Sequence, residues 1–111
     1  MNTRDKIISP AMLVIGTFDP LLAAHSDRLE DLKKDSGVKL VVAVADPPEP
    51  LLDRRARMEL AAALRMVDFV MPYAEGLETA SPWTAVHNDT ALHAQWSADF
   101  KEHVRRRSQP A

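Results

Sequence analysis

The chain has no cysteine among its 111 residues, which excludes a disulfide framework and any thiolate metal site. It also lacks the basic excess by which duplex-binding proteins neutralise phosphates. Fourteen Lys and Arg stand against sixteen Asp and Glu, for a formal net charge of −2, so no nucleic-acid partner is expected. The basic cluster Arg105-Arg106-Arg107 falls in the last turn of a predicted helix, where it complements the helix dipole. No apolar run approaches the roughly 20 residues that a membrane helix requires, and no charged-then-apolar leader opens the chain. Internal repeats and low-complexity segments are absent as well. The expectation is a cytoplasmic protein with no membrane partner. What is present suits a folded domain: 46% hydrophobic residues, with 27% charged residues spread along the chain. The length fits one domain, 1–111, with a single core.

The apolar run Met12-Leu13-Val14-Ile15, closed by Gly16, reads as a strand buried on both faces. After Pro20, Leu22, His25, Leu29 and Leu32 recur at helical spacing, predicting a helix over 23–35 that Ser36-Gly37 stops. Residues 38–45 read as a second buried strand, ended by Asp46-Pro47-Pro48. Asp53 is placed to cap a helix running through Arg65, and 67–71 reads as a third strand. Trp83 and Val86 suggest a short helical turn. Leu92, Trp96, Phe100 and Val104, four apart, predict a C-terminal amphipathic helix over about 88–107. The fold class is therefore α/β. It is a small Rossmann-like βαβαβ unit with a three-stranded parallel sheet, flanking helices and a C-terminal helix, and ligands belong at the carboxyl ends of its strands.

The segment Gly16-Thr17-Phe18-Asp19-Pro20-Leu21-Leu22-Ala23-Ala24-His25 joins the first strand to the first helix. It resembles the G-T-F-D-x-x-H-x-G-H motif of the cytidylyltransferase-like nucleotidyltransferases, the family of glycerol-3-phosphate cytidylyltransferase and of the adenylyltransferase domain of ADP-heptose synthesis. Leu40-Val41-Val42-Ala43-Val44 and the stretch from Arg57 through Ala63-Leu64-Arg65-Met66-Val67-Asp68-Phe69-Val70 resemble two further family motifs, so the likeness covers about residues 11–72. The resemblance implies a nucleotide triphosphate at the start of the first helix, usually with Mg2+, and attack on its α-phosphorus with loss of pyrophosphate. It gives His25 the catalytic phosphate contact and makes Gly16, Thr17, Phe18, Asp19 and Arg57 ligand-binding.

The departures are as specific as the matches. The family's first histidine falls on Leu22 and its glycine on Ala24. Leucine donates no hydrogen bond, so its presence should cost on the order of 10² to 10³ in rate. Asp99 stands where the family's last-helix motif carries an arginine, and the loop from Asp46 to Leu52 holds no lysine. His87, Asp89 and His93 match no zinc spacing and read as caps and surface, so no protein metal site is expected. With no fourth or fifth strand recognisable, the first strand is expected at a sheet edge, covered by the C-terminal helix or by a second copy in a homodimer. Two functions follow. One is a nucleotidyltransferase-like protein that binds a nucleotide or phosphorylated small molecule with weak or lost activity; the other is a non-catalytic domain acting in homo- or hetero-oligomeric assembly.

Overall fold

The computed structural model describes residues 10–108; of the single domain expected over 1–111, residues 1–9 and 109–111 lie outside that range. Four parallel strands form one sheet: β1 (Ala11–Gly16), β2 (Lys39–Val44), β3 (Phe69–Pro72) and β4 (Ala85–Asn88), in the order β3-β2-β1-β4. Helices α1 (Ala23–Ser36) and α2 (Arg54–Ala62) connect the first three strands, and α3 (Thr90–Ser108) follows β4. The α/β, Rossmann-like class holds, with one strand more than the sequence predicted.

That extra strand is a correction. Val86 lies in β4 and not in a helical turn. β4 pairs with β1 from Met12↔Ala85 to Ile15↔Asn88, so β1 is flanked on both sides. The edges are β3 and β4, and the argument for a homodimer through an uncovered β1 falls away. The physical reason for the miss is that β4 is four residues long and half exposed, with Val86 39% accessible. A short edge strand carries neither a continuous apolar run nor enough alternation to register as a pattern.

Strand alternation divides the core between the two faces of the sheet. Met12, Val14, Leu40, Val42 and Val44 meet Leu29 of α1 and Ala61 of α2 on one face. Leu13, Ile15, Val41 and Ala43 meet Met71 and Leu77 on the other, with Trp83 alongside. The second face is covered by the long β3–β4 connection, which carries a 3₁₀ turn at Leu77–Thr79 and is pinned where the Trp83 indole N–H donates to the Leu77 carbonyl at 2.9 Å. This division follows from chirality. Two right-handed crossovers step from β1 to β3 over one face, and the return step to β4 must run under the other.

Local signals explain most of the boundaries. The Asp53 carboxylate accepts the Ala56 N–H at 2.7 Å, the expected cap of α2. Gly37 closes α1 in the left-handed region at φ 67°, its N–H donating to the Lys33 carbonyl. α2 ends at Ala62 rather than Arg65, and β3 starts at Phe69 rather than Val67. Asp68, in the intervening turn, accepts the Leu40 N–H and pairs with Lys33, tying β3's approach to β2 and α1. In α3 the apolar positions Leu92 and Val104 are exposed, and the buried position is His93.

Candidate functional site at the carboxyl ends of the strands

The sheet order reverses direction between β1 and β4, so the loops leaving these two strands diverge and open a crevice above them. The β1–α1 loop begins at Thr17. Phe18 is fully buried with φ 49°, a left-handed conformation rarely adopted by a bulky residue. Asp19, 3% exposed, accepts the N–H groups of Leu51 and Leu52 at 2.7 and 2.9 Å. Its carboxylate therefore stitches the β1–α1 loop to the β2–α2 loop.

Arg57 performs the reciprocal tie. It is completely buried, and it donates from Nε to the Leu52 carbonyl, from Nη1 to the carbonyls of Thr17 and Ala45, and from Nη2 to the Asp46 carboxylate at 2.6 Å. Four of its donors are thus committed to protein acceptors within the two loops. The charge that the sequence offers to a ligand is used to hold the loops at a fixed separation.

His25 is the third residue of α1 and lies completely buried. Its Nδ1 accepts the Leu22 N–H at 2.9 Å, satisfying one of the orphan amides at the helix start. That bond places the ring proton on Nε2, which has no hydrogen-bond partner. The ring sits edge-on to His93, with centroids 4.3 Å apart, and to Trp96 at 4.9 Å. Phe18 completes the aromatic cluster, at 4.5 Å from His93.

His93, read from the sequence as surface, is 1% exposed and belongs to the site. Its Nδ1 accepts from two successive loop amides, Thr17 at 3.1 Å and Phe18 at 3.4 Å. Gly16 makes this possible: a Cβ there would stand 2.1 Å from His93 Cε1 and 2.3 Å from Nδ1. The glycine is needed for a close approach of side chain to backbone. Burial pushes His25 down to about 4 and, with the neighbouring His25 adding to it, His93 down to about 3, so both imidazoles are neutral at physiological pH. Asp89, 5% exposed, accepts two bonds from Arg28 at 3.1 and 3.3 Å and joins α1 to the turn before α3.

The crevice itself has a volume of about 530 Å³ and is lined by Thr17 and Asp19, by Asp46, Pro47, Pro48 and Glu49, and by one face of α3 from Thr90 and Ala91 through Ala94, Ser97, Ala98 and Lys101. The Ser97 hydroxyl donates to the Asp19 carbonyl at 2.6 Å, fixing α3 against the loop. Of the residues the sequence singled out, the crevice exposes Thr17 and Asp19. His25, Phe18 and Arg57 are fully buried and do not line it. Asp99 faces Gln95, to whose amide it bonds at 2.9 Å, and does not line the crevice.

No protein-family model and no curated protein matches the chain. Among solved structures, a crystal structure of the lipopolysaccharide core biosynthesis protein from Thermoplasma volcanium GSS1 matches it with a TM-score of 0.56 and 28% sequence identity. The chain resembles a lipopolysaccharide core biosynthesis protein. The match covers 64% of this chain and 63% of that one, so under two thirds of the relative's length is represented. Among the described residues no helix is long and apolar enough to cross a membrane.

Residues missed from sequence have a common cause. His93, Ser97 and Lys101 recur four apart beside the apolar stripe of Leu92, Trp96, Phe100 and Val104, and that stripe drew the expected buried face, although Leu92 and Val104 are exposed and His93 is buried. The available signal was the pairing of a glycine at a strand end with a histidine one turn into a helix, which only topology brings together.

Proposed function

We propose that this protein is a nucleotidyltransferase-like ligand-binding domain that takes a nucleotide or another phosphorylated small molecule in the crevice over β1, with transfer chemistry weak or lost. The observation that carries the reading is the crevice of about 530 Å³ at the point where the strand order reverses, the usual ligand position of open α/β sheets. The likeness to the lipopolysaccharide core biosynthesis protein supports the fold on which this reading is built. Thr17, Thr90 and Ser97 offer hydroxyls and Lys101 a cation, while Gly16, Phe18, Asp19 and Arg57 act by shaping the loop.

The loss of transfer rests on the burial of His25 beneath His93 and Trp96, on Leu22 in place of a donor, and on the commitment of Arg57 to carbonyls. Catalysis of phosphoryl and nucleotidyl transfer is mainly charge stabilisation and positioning, and it needs donors that reach the reacting phosphate. Of the carboxylates lining the crevice, Asp46 is paired with Arg57 and Arg54, which leaves Glu49 on the rim, and a polyphosphate would enter with its counter-ion. Among the described residues no three side chains converge as metal ligands. Magnesium would arrive with the nucleotide and neutralise its charge, with the Glu49 carboxylate on the crevice lining.

Calorimetric titration with MgCTP and MgATP tests the reading. Saturable binding tighter than about 100 μM, equivalent to more than roughly 5 kcal/mol, with no pyrophosphate release, is expected. Absence of binding by either nucleotide and by phosphorylated sugars would remove it.

A further inference from the structure

The space occupied by the His93 ring is surrounded by more donors than the ring satisfies. The Thr17 and Phe18 amides both point at one nitrogen, at 3.1 and 3.4 Å. An imidazole nitrogen has a single lone pair, so the two amides share it and the second bond is long. A third donor, His25 Nε2, is buried without an acceptor on the ring adjacent to His93. Two N–H groups thus share one neutral acceptor, and a third lies unpaired on the neighbouring ring. Successive backbone amides at a strand-to-helix loop, joined by a side-chain donor, are the equipment of an oxyanion pocket.

The ring is also accommodated by construction. Gly16 leaves the volume that the ring fills. His93 belongs to α3, whose next turns carry Ser97 and Lys101 on the crevice wall, and Thr17 lines both the crevice and the ring's site. The ring packs edge-on to His25 and Phe18, at 4.3 and 4.5 Å, and stacks on Trp96 at 5.5 Å and 21°. The carboxylate nearby, Asp89, has its charge taken up by Arg28.

We propose that His93 is an intramolecular plug in a phosphate-binding pocket formed by the Thr17 and Phe18 amides and His25 Nε2, and that its displacement admits a phosphate group of the ligand held in the crevice. The inference rests on the reading of the crevice as a phosphate-ligand site and adds how access to its innermost part is controlled. In the closed form the imidazole mimics the oxyanion as acceptor, leaving His25 unpaired. In the open form an oxygen with several lone pairs serves all three donors.

The test is an amide- and imidazole-resolved NMR titration of wild type, His93→Gly and Trp96→Ala with inorganic pyrophosphate, and separately with MgCTP. His93→Gly should show saturable shifts at the Thr17 and Phe18 amides and at His25 Nε2, with pyrophosphate affinity at least about tenfold above wild type. Added imidazole should compete. A folded His93→Gly whose loop resonances ignore pyrophosphate, or a wild type that binds it equally well, would overturn the plug. Should His93→Gly not fold, Trp96→Ala decides. It keeps the imidazole but removes the ring stacked on it, so tighter pyrophosphate binding than wild type supports the plug and equal binding overturns it. MgCTP binding in the wild-type crevice without any pyrophosphate gain in the variants would leave the crevice reading standing and remove the plug. A pyrophosphate gain without nucleotide binding would keep the plug and remove the nucleotide.

Discussion

Lowering the pH from 8 to 5 should destabilise the fold far more than its exposed charges suggest. His25 and His93 are each neutral and buried, and each uses Nδ1 to accept backbone N–H groups. Protonation would place a donor against those amides and a charge in the core. Their folded values, about 4 and about 3, lie below the ordinary histidine value of 6.5. The unfolded chain therefore binds more protons between these limits, and stability rises with pH across that window. The contribution is complete above about pH 6.5 and is lost as pH falls toward 4 and 3. At pH 5 each histidine should have removed about 2 kcal/mol, or roughly 4 kcal/mol together, a large part of the 5 to 15 kcal/mol typical of a domain. Urea unfolding followed by tryptophan fluorescence at pH 8, 7, 6 and 5 measures this directly, with Trp96 reporting from within the cluster. The midpoint should fall by more than about 1 M between pH 8 and 5 at unchanged slope. His93→Asn, whose side-chain oxygen accepts from the same amides and does not titrate, should roughly halve the dependence. Constant stability down to pH 5, with loss only in the carboxylate range, would refute the burial of neutral histidines as the governing effect.

Other perturbations separate the parts of the site. Gly16→Ala sets a methyl 2.1 Å from the His93 ring and should cost about 3 kcal/mol or more in thermal or chemical melts, because the methyl overlaps a buried ring that Phe18 and Trp96 pack against. Arg57→Met strands three carbonyls and the Asp46 carboxylate facing a thioether and should destabilise by roughly 3 to 5 kcal/mol, and Arg57→Lys should recover little, since one ammonium cannot span the four acceptors. Asp19→Ala frees the Leu51 and Leu52 amides and should cost about 1 to 3 kcal/mol, with faster hydrogen exchange confined to those two residues. Lys101→Glu leaves the core untouched and should weaken nucleotide binding with little change in melting temperature; an unaltered affinity would take Lys101 off the ligand's path.

The parts of this fold that repeat a pattern were legible in the sequence. β1 and β2 announce themselves as unbroken apolar runs, α1 by the spacing of His25 and Leu29, and α2 by its Asp53 cap. β4 was not legible, because four half-exposed residues contain no period to detect and its existence is decided by pairing with β1. The candidate site divides in the same way. Its loop was visible as Gly16-Thr17-Phe18-Asp19, but what those residues contact was not. Arg57 reads as a ligand cation until its carbonyl cage is seen, and His93 as a surface residue until the topology lays α3 across the end of β1. Local sequence reports propensity and burial; it does not report which distant acceptor a buried donor finds.

The central claim is that a phosphorylated ligand sits in the crevice above β1. Mapping MgCTP and MgATP titrations onto assigned backbone amides tests it most directly. The account predicts saturable shifts concentrated at Thr17, Asp46, Ala91, Ser97 and Lys101, around the crevice. Saturable shifts clustered elsewhere, or none at millimolar nucleotide, would contradict it.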